Sequence, residues 1–369
     1  MEVISMSFPH FRISGTAFER GQQLGRLAKQ QIIHNIETYK VLFWEMAKVK
    51  WDAARAHSAQ YISWIERYDA EILEEIRGIS HGAELDLLDL IVLNARSEII
   101  TNLAGKDVPA DGCTSMAAVP EITTGQEMLL GQNWDWNNRI KPGMIVLEID
   151  QAPRPTILMV TEAGIVGKIG MNSAGVGVCL NFLGTTERQM GVPIHIVLRG
   201  ILNSHTLPQA IGQVARLTRG TSANYLIAHK EGEVVDVETT PSNYDVLYPD
   251  NGWLVHANHF IGPRSILIED TARIMSPDSH LRQGRASKLL ARYGNGVDTT
   301  AFKHIFSDHG AYPDGICRHG ETQPVDLGRP MISSTVFSIV MNLSEGTFEL
   351  SGGQPCTEAY AKYGFSAVE

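Results

Sequence analysis

GKDVPADGCTS, residues 105–115, is the stretch at which this sequence changes texture. Two glycines, a proline and two aspartates before Cys113 interrupt any helix and predict an exposed connection. Upstream, from about Thr16 to Ala104, the pattern is helical: Phe18, Gln22, Leu24 and Leu27, then Ile32, Ile33 and Ile36, recur at three-to-four spacing. A second run, Tyr61, Ile65, Tyr68, Ile72, Ile76 and Ile79, keeps that period to Gly82, and Asp86 with Asp89 opens a third. Three helices are therefore expected before residue 100. Downstream come short apolar runs of strand length at 128–130, 144–149, 156–160, 176–180, 225–228, 234–237, 253–255 and 336–341. Two helical patches, 194–217 (broken by Pro208) and 281–306, follow strands in pairs instead of alternating with them. That order favours α+β layers over a doubly wound parallel sheet.

At 369 residues the chain can bury a sizeable core, and one large domain with a helical annex is the expected organisation. Lys and Arg number 31 against 41 Asp and Glu, a net charge of -10 that gives no drive toward nucleic acid. The opening MEVISMSFPHFRISG has no basic region followed by an apolar segment, so a signal peptide is not expected. The uncharged stretch between Lys168 and Glu187 carries too many glycines and asparagines for a membrane span and reads as two strands and a turn. The terminal SAVE is no peroxisomal tripeptide, and a cytoplasmic location is the default. Cys113, Cys179, Cys317 and Cys356 include no C-x-x-C pair, which argues against a zinc knuckle and for a reducing compartment.

Cys113 is the leading candidate for chemistry, since a thiol right after Gly112, in a loop, has access and backbone freedom. An N-to-S acyl shift across Gly112–Cys113, followed by hydrolysis, would leave Cys113 at a chain start. Its α-amine, with a pKa of about 7.8, would then act as its base. A loop thiol chosen for size is the plain alternative. What weighs against that is Gly131-Gln132-Asn133-Trp134-Asp135-Trp136, a polar-aromatic cluster at a strand end, where polar groups beside two tryptophans need partners. Antiparallel pairing of the strand after Cys113 with the one through Leu130 would return Asp135 to Cys113. As a lone residue Asp135 also reads as a turn or cap aspartate.

With these residues in view, the sequence resembles the acyl-coenzyme A:6-aminopenicillanic acid acyltransferase (isopenicillin N acyltransferase) family and its wider set of self-processing cysteine peptidases. The likeness is carried by Gly15–Gly25 (GTAFERGQQLG), Asp111-Gly112-Cys113-Thr114, the 131–136 cluster, 170–183, His256-Ala257-Asn258-His259-Phe260 and Ile316-Cys317-Arg318-His319. It implies a four-layer αββα N-terminal-nucleophile hydrolase sandwich with an N-terminal helical segment. Self-cleavage would yield a helical α-chain, 1–112, which is kept, and a β-chain, 113–369, headed by Cys113. Gly112, Cys113 and Thr114 then form the processing site. Asp135 matches the aspartate that holds the new α-amine and Asn258 the donor to the tetrahedral oxyanion, where aimed dipoles contribute most to rate. Arg318 matches a late arginine near the nucleophile, which would favour the thiolate. Asn181 resembles a second asparagine donor. Gln132 stands where related amidases place arginine and cannot supply a charge, so support must come from elsewhere.

The expected reaction is hydrolysis or transacylation of a small amide, peptide or acyl thioester, with no cofactor and acyl-coenzyme A only as an acyl donor. A non-catalytic binding or scaffold protein of the same fold is the alternative, disfavoured by the joint presence of Cys113, Asp135, Asn258 and Arg318. His256, His259, His304, His309 and His319 lack the spacing and glutamate of a helical zinc-protease motif, and no metal is expected. Ser173 and Ser222 do not form G-x-S-x-G, and Gly175 with Gly177 is no dinucleotide fingerprint.

Overall fold

The computed structural model describes residues 8–104, 112–271, 275–320 and 332–366. Residues 16–104 are helical as their periodicity predicts, but as seven helices where three were expected: α1 (Ala17–Leu27), α2 (Lys29–Ala47), α3 (Trp51–Ser58), α4 (Ile62–Tyr68), α5 (Ala70–Ala83), α6 (Leu87–Asn94) and α7 (Arg96–Leu103). Single joint residues break the runs. Lys48 and Glu84 are left-handed, and Asp69 is extended and caps α5 by accepting from the Glu71 N–H. Gly82 and Asp86 mark the break at Glu84 in the sequence, whereas no Gly or Pro marks those at Lys48 and Asp69. A capping box of Thr16 and Glu19 starts α1. Helix α1 then crosses α5 almost backbone to backbone, because Gly21 and Gly25 face Gly78 and Gly82. A methyl at Gly21 would lie 2.0 Å from the Glu75 carbonyl oxygen, and one at Gly78 2.2 Å from that of Phe18.

The strands form two sheets. In the eight-stranded sheet β1 (His10–Ser14) pairs parallel with β4 (Met144–Asp150). It continues antiparallel through β5 (Ile157–Glu162), β6 (Ile169–Asn172), β7 (Val176–Phe182), β8 (Ala223–His229), β9 (Val234–Thr239) and β10 (Tyr244–Leu247). The six-stranded sheet runs β11 (Trp253–His256), β2 (Gly112–Ala118), β3 (Leu129–Trp136), β12 (Ser334–Asn342), β13 (Thr347–Ser351) and β14 (Tyr360–Gly364), all antiparallel. The expected two strands and a turn after Lys168 are β6 and β7.

Strand alternation sorts the side chains of β2. Cys113 and Ala117 enter the core shared with the first sheet, whereas Met116 and Ala118 enter a separate core with Leu289, Phe302 and Phe306. Those three lie on α10 (Asp278–Tyr293) and α11 (Thr299–Phe306), which cover the outer face of the second sheet. On the first sheet, α8 (Ile194–Leu202) packs on β6 and β7, and α9 (Leu207–Ala215) on β8, with Pro208 in the first turn of α9. The layers are helix, sheet, sheet, helix, the αββα sandwich of the α+β class. The helical annex joins the first core through Ile32, Ile36, Leu90 and Leu93. It also contributes the strand β1, so the part of the chain before Cys113 is not helical throughout. Among the described residues no helix is long and apolar enough to cross a membrane.

Candidate active site

Cys113 does not sit in an exposed loop. It is the second residue of β2, 1% exposed, and its neighbours in the strand are buried as well. Asp111 and the rest of the connection 105–111 lie outside the described residues. Sequence composition read the junction as open because of its glycines and aspartates, but from Gly112 onward the backbone is paired. The 131–136 cluster forms the C-terminal part of β3 and ends at its last residue, Trp136, as expected, and all of β3 is buried. Its two amide side chains are tied to the main chain, whereas Asn133 Oδ1, Asp135 Oδ2 and Trp136 Nε1 are buried without a hydrogen bond. Gln132 bonds the Leu180 main chain in both directions, and Asn133 donates to the carbonyls of Phe306 and Ile316.

The expected return of Asp135 is observed: β2 and β3 pair with Gly112 opposite Asp135 and Cys113 opposite Trp134. Gly112 fills a tight gap, since a methyl there would lie 2.8 Å from Asp135 Oδ2 and 3.0 Å from Arg318 Nε. Arg318 Nε is 3.4 Å from Asp135 Oδ2, while its other nitrogens reach Asp278 and, at 3.2 Å, Asp314. Thr335 donates to Asp135 Oδ1 at 2.7 Å and accepts the Arg318 N–H at 2.9 Å. Burial pushes the Asp135 carboxyl up to about 7, against the pull of Arg318 and Arg282.

The Cys113 N–H donates to Asn258 Oδ1 at 2.7 Å. The Nδ2 of Asn258 donates to the Phe182 carbonyl at 3.1 Å, so its donor end is engaged away from Cys113 in the uncut chain. The Asn258 N–H and His259 Nδ1 both meet the Ser279 hydroxyl at 2.7 Å. His256 sits between the Glu238 carboxylate, 2.7 Å, and the Ala257 carbonyl, 2.8 Å, an acceptor at each ring nitrogen that raises its pKa despite burial. These histidines hold the 256–259 turn in place. Asn181 enters the same region from β7: its Oδ1 accepts from the Ser115 hydroxyl at 2.6 Å, and its Nδ2 makes only a 3.5 Å contact with the His256 carbonyl.

Two residues escaped the sequence reading. Arg282, fully buried, donates to the Cys113 carbonyl, to Thr114 Oγ1 at 3.1 Å and to Asn258 Oδ1 at 3.0 Å. Asp278, one helical turn earlier, accepts from Arg282 Nε at 3.0 Å and also bonds Arg318. The positive charge that Gln132 lacks is thus supplied by Arg282 and Arg318, from α10 and a later loop. The signal available in sequence was an i,i+4 Asp–Arg pair, which on most helices is a solvated surface pair. The Ser222 hydroxyl bonds that of Thr185 at 2.8 Å and Ser173 accepts the Thr156 N–H, so neither serine is tied to this cluster.

Two sheets packed between helix layers, with Cys113 second in an inner strand, define the chain as an αββα sandwich protein of the α+β class. The profile described as acyl-coenzyme A:6-aminopenicillanic acid acyl-transferase matches residues 122–355. The 40 kDa form of acyl-coenzyme A:6-aminopenicillanic-acid-acyltransferase from Emericella nidulans is 32% identical over 347 residues, 90% of this chain and 89% of that protein. The chain belongs to the acyl-coenzyme A:6-aminopenicillanic acid acyltransferase family. Solved structures similar to it include penicillin V acylase from Agrobacterium tumefaciens, at 12% identity and TM-score 0.41 over 64% of this chain and 82% of that one. Conjugated bile acid hydrolase from Clostridium perfringens is another, at 14% identity and TM-score 0.46 over 69% of this chain and 97% of that one.

Proposed function

We propose that the chain cleaves itself between Gly112 and Cys113 and then uses Cys113 to hydrolyse or transfer the acyl group of a small amide, peptide or thioester. The observation that carries this reading is the grip on the Gly112–Cys113 junction. Asn258 holds the Cys113 nitrogen, Arg282 the Cys113 carbonyl, and Asp135 with Arg318 closes on Gly112. A thiol retained only for packing needs none of these.

In the first step the Cys113 sulfur attacks the Gly112 carbonyl carbon, the C–N bond breaks, and the amine leaves with the thiol proton. Water then hydrolyses the Gly112 thioester, giving a carboxylate on the α-chain and a free Cys113 amine. In turnover that amine takes the thiol proton as sulfur attacks the substrate carbonyl, and returns a proton to the leaving amine or thiol. Water or an acceptor amine finally releases the acyl group. Asp135 is assigned to the α-ammonium. Asn258 is assigned as an oxyanion donor once its Nδ2 gives up the Phe182 carbonyl. Asn181 is the second donor, its Nδ2 being loosely held at 3.5 Å. A small cleft of about 30 Å³, lined by Leu42, Phe43, Met46, Arg96, Trp136 and Phe182, opens beside Phe182 and would have to widen to receive an acyl group.

The penicillin precursor in the relative's name fixes the chemistry of this reading more than its substrate. An acyl thioester offered to the enzyme should leave an acyl mass increment on the peptide headed by Cys113, removable by hydroxylamine. A modified residue elsewhere, or turnover that persists in Cys113→Ala, would refute the assignment. Asn258→Ala should lower kcat about 10²- to 10³-fold with a small change in KM, the signature of a donor used in the transition state.

A further inference from the structure

Outside the active site, four side chains from three separate loops converge on one point. They are His309, after α11; Cys317 and His319, on either side of Arg318; and Cys356, between β13 and β14. All four ligand atoms lie within 4.8 Å of one another. The separations are 3.6 Å for Cys317 Sγ to Cys356 Sγ and 3.1 Å for His309 Nε2 to His319 Nε2. From His319 Nε2, Cys317 Sγ is 3.5 Å away and Cys356 Sγ 3.4 Å. Zinc at its usual bond lengths in a tetrahedron of two thiolates and two imidazoles sets edges of about 3.8 Å for S···S, 3.3 Å for N···N and 3.6 Å for S···N. Each observed edge is within about 0.2 Å of that figure.

We infer that this chain holds a zinc ion at His309, Cys317, His319 and Cys356. The donor set selects a borderline-soft cation over magnesium or calcium, and four protein ligands leave no open position, so the ion is structural. It has a further effect through Arg318. The Cys317 N–H is bonded to the Asp308 carbonyl at 3.0 Å and the His319 N–H to the Pro313 carbonyl at 2.9 Å, which already shapes this turn. Binding metal on both sides of Arg318 fixes the residue whose guanidinium reaches Asp135 and Asp278. The expectation of no metal came from local spacing. These ligands are spread over 309–356 without a C-x-x-C pair, so their convergence exists only in the fold.

The test uses the full chain purified with reductant and without chelator. Elemental analysis should find one zinc per chain, and cobalt(II) added to the metal-stripped protein should saturate at one equivalent with the visible absorption of a tetrahedral thiolate site. Cys356→Ser and His309→Ala, both at exposed positions, should abolish or sharply weaken that binding while the protein stays folded. This readout is independent of Cys113, so it stands or falls apart from the catalytic reading. A cobalt-silent protein whose thiols are shown to be reduced would overturn the proposal. So would cobalt binding unchanged in both variants, or freshly isolated, metal-free protein with a Cys317–Cys356 disulfide, which would make the pair a redox couple.

Discussion

The Gly112 site leaves no room for a side chain, which makes Gly112→Ala a sharp probe of the junction. The added methyl would strike Asp135 Oδ2 and Arg318 Nε, and a displacement of about 1 Å in a reacting group can cost on the order of 10²-fold in rate. Cleavage should slow by at least about tenfold, read from the fraction of cut chain over time. Asp135 offers a pH test. Its carboxyl is raised from an ordinary 3.8 to about 7 in the uncut fold. The stability it contributes is therefore full below its unfolded pKa and lost as pH rises through about 7. In a Cys113→Ala background, the urea midpoint of the Asp135 protein should fall relative to that of Asp135→Asn between pH 5 and 8. A gap independent of pH would contradict the shift. Asp135 was named in sequence because motif and strand pairing both point to it, and Asn258 through the family resemblance alone. Arg282 was not, since it contacts Cys113 across 169 residues and its local pattern is that of a surface helix. Arg282→Met should cost about 3–5 kcal/mol by leaving Asp278 buried without one of its two guanidinium partners, measurable by denaturant unfolding.

Among the elements, the α1–α5 crossing explains the GTAFERGQQLG opening physically. Gly21, Gly25, Gly78 and Gly82 allow two helix backbones to touch, and no larger residue fits without moving a carbonyl. Gly78→Ala should destabilise the fold by about 3 kcal/mol or more, whereas Gly284→Ala, in open space on α10, should be neutral or slightly stabilising. Equal thermal shifts for the two would refute the close crossing. Strands with strong apolar runs, such as β4, β7 and β8, were readable from sequence. The edge strands β1, β10 and β14, and β13 beside the last, were not, because they are short and partly exposed and polar residues dilute their apolar signal. The runs at 18–36 and 61–79 each merged two helices because Ala28 and Asp69 turn the chain without Gly or Pro.

Taken as a whole molecule, the segment before Cys113 is built into the sandwich. Glu75 on α5 accepts from Arg199 on α8 at 2.7 and 2.8 Å and pairs with Arg20 at 3.1 Å, all three nearly fully buried. Strand β1 adds a further tie through its parallel pairing with β4. A cut at Gly112 would therefore leave the two pieces bound as one particle on a native sizing column, separating only in denaturant. Layered α+β structure was expected from the order of strand pairs and helices, and the four-layer αββα sandwich from the family resemblance.

The most direct measurement is the intact mass of freshly purified protein under denaturing conditions, beside Cys113→Ala. Scaling 40.6 kDa by chain length, a break before Cys113 gives fragments of about 12 and 28 kDa, as an amine-assisted nucleophile requires. The expected result is those two masses in the native sequence and one uncut chain in the variant. A single uncut mass in both would remove the base on which the proposed mechanism depends and would contradict it.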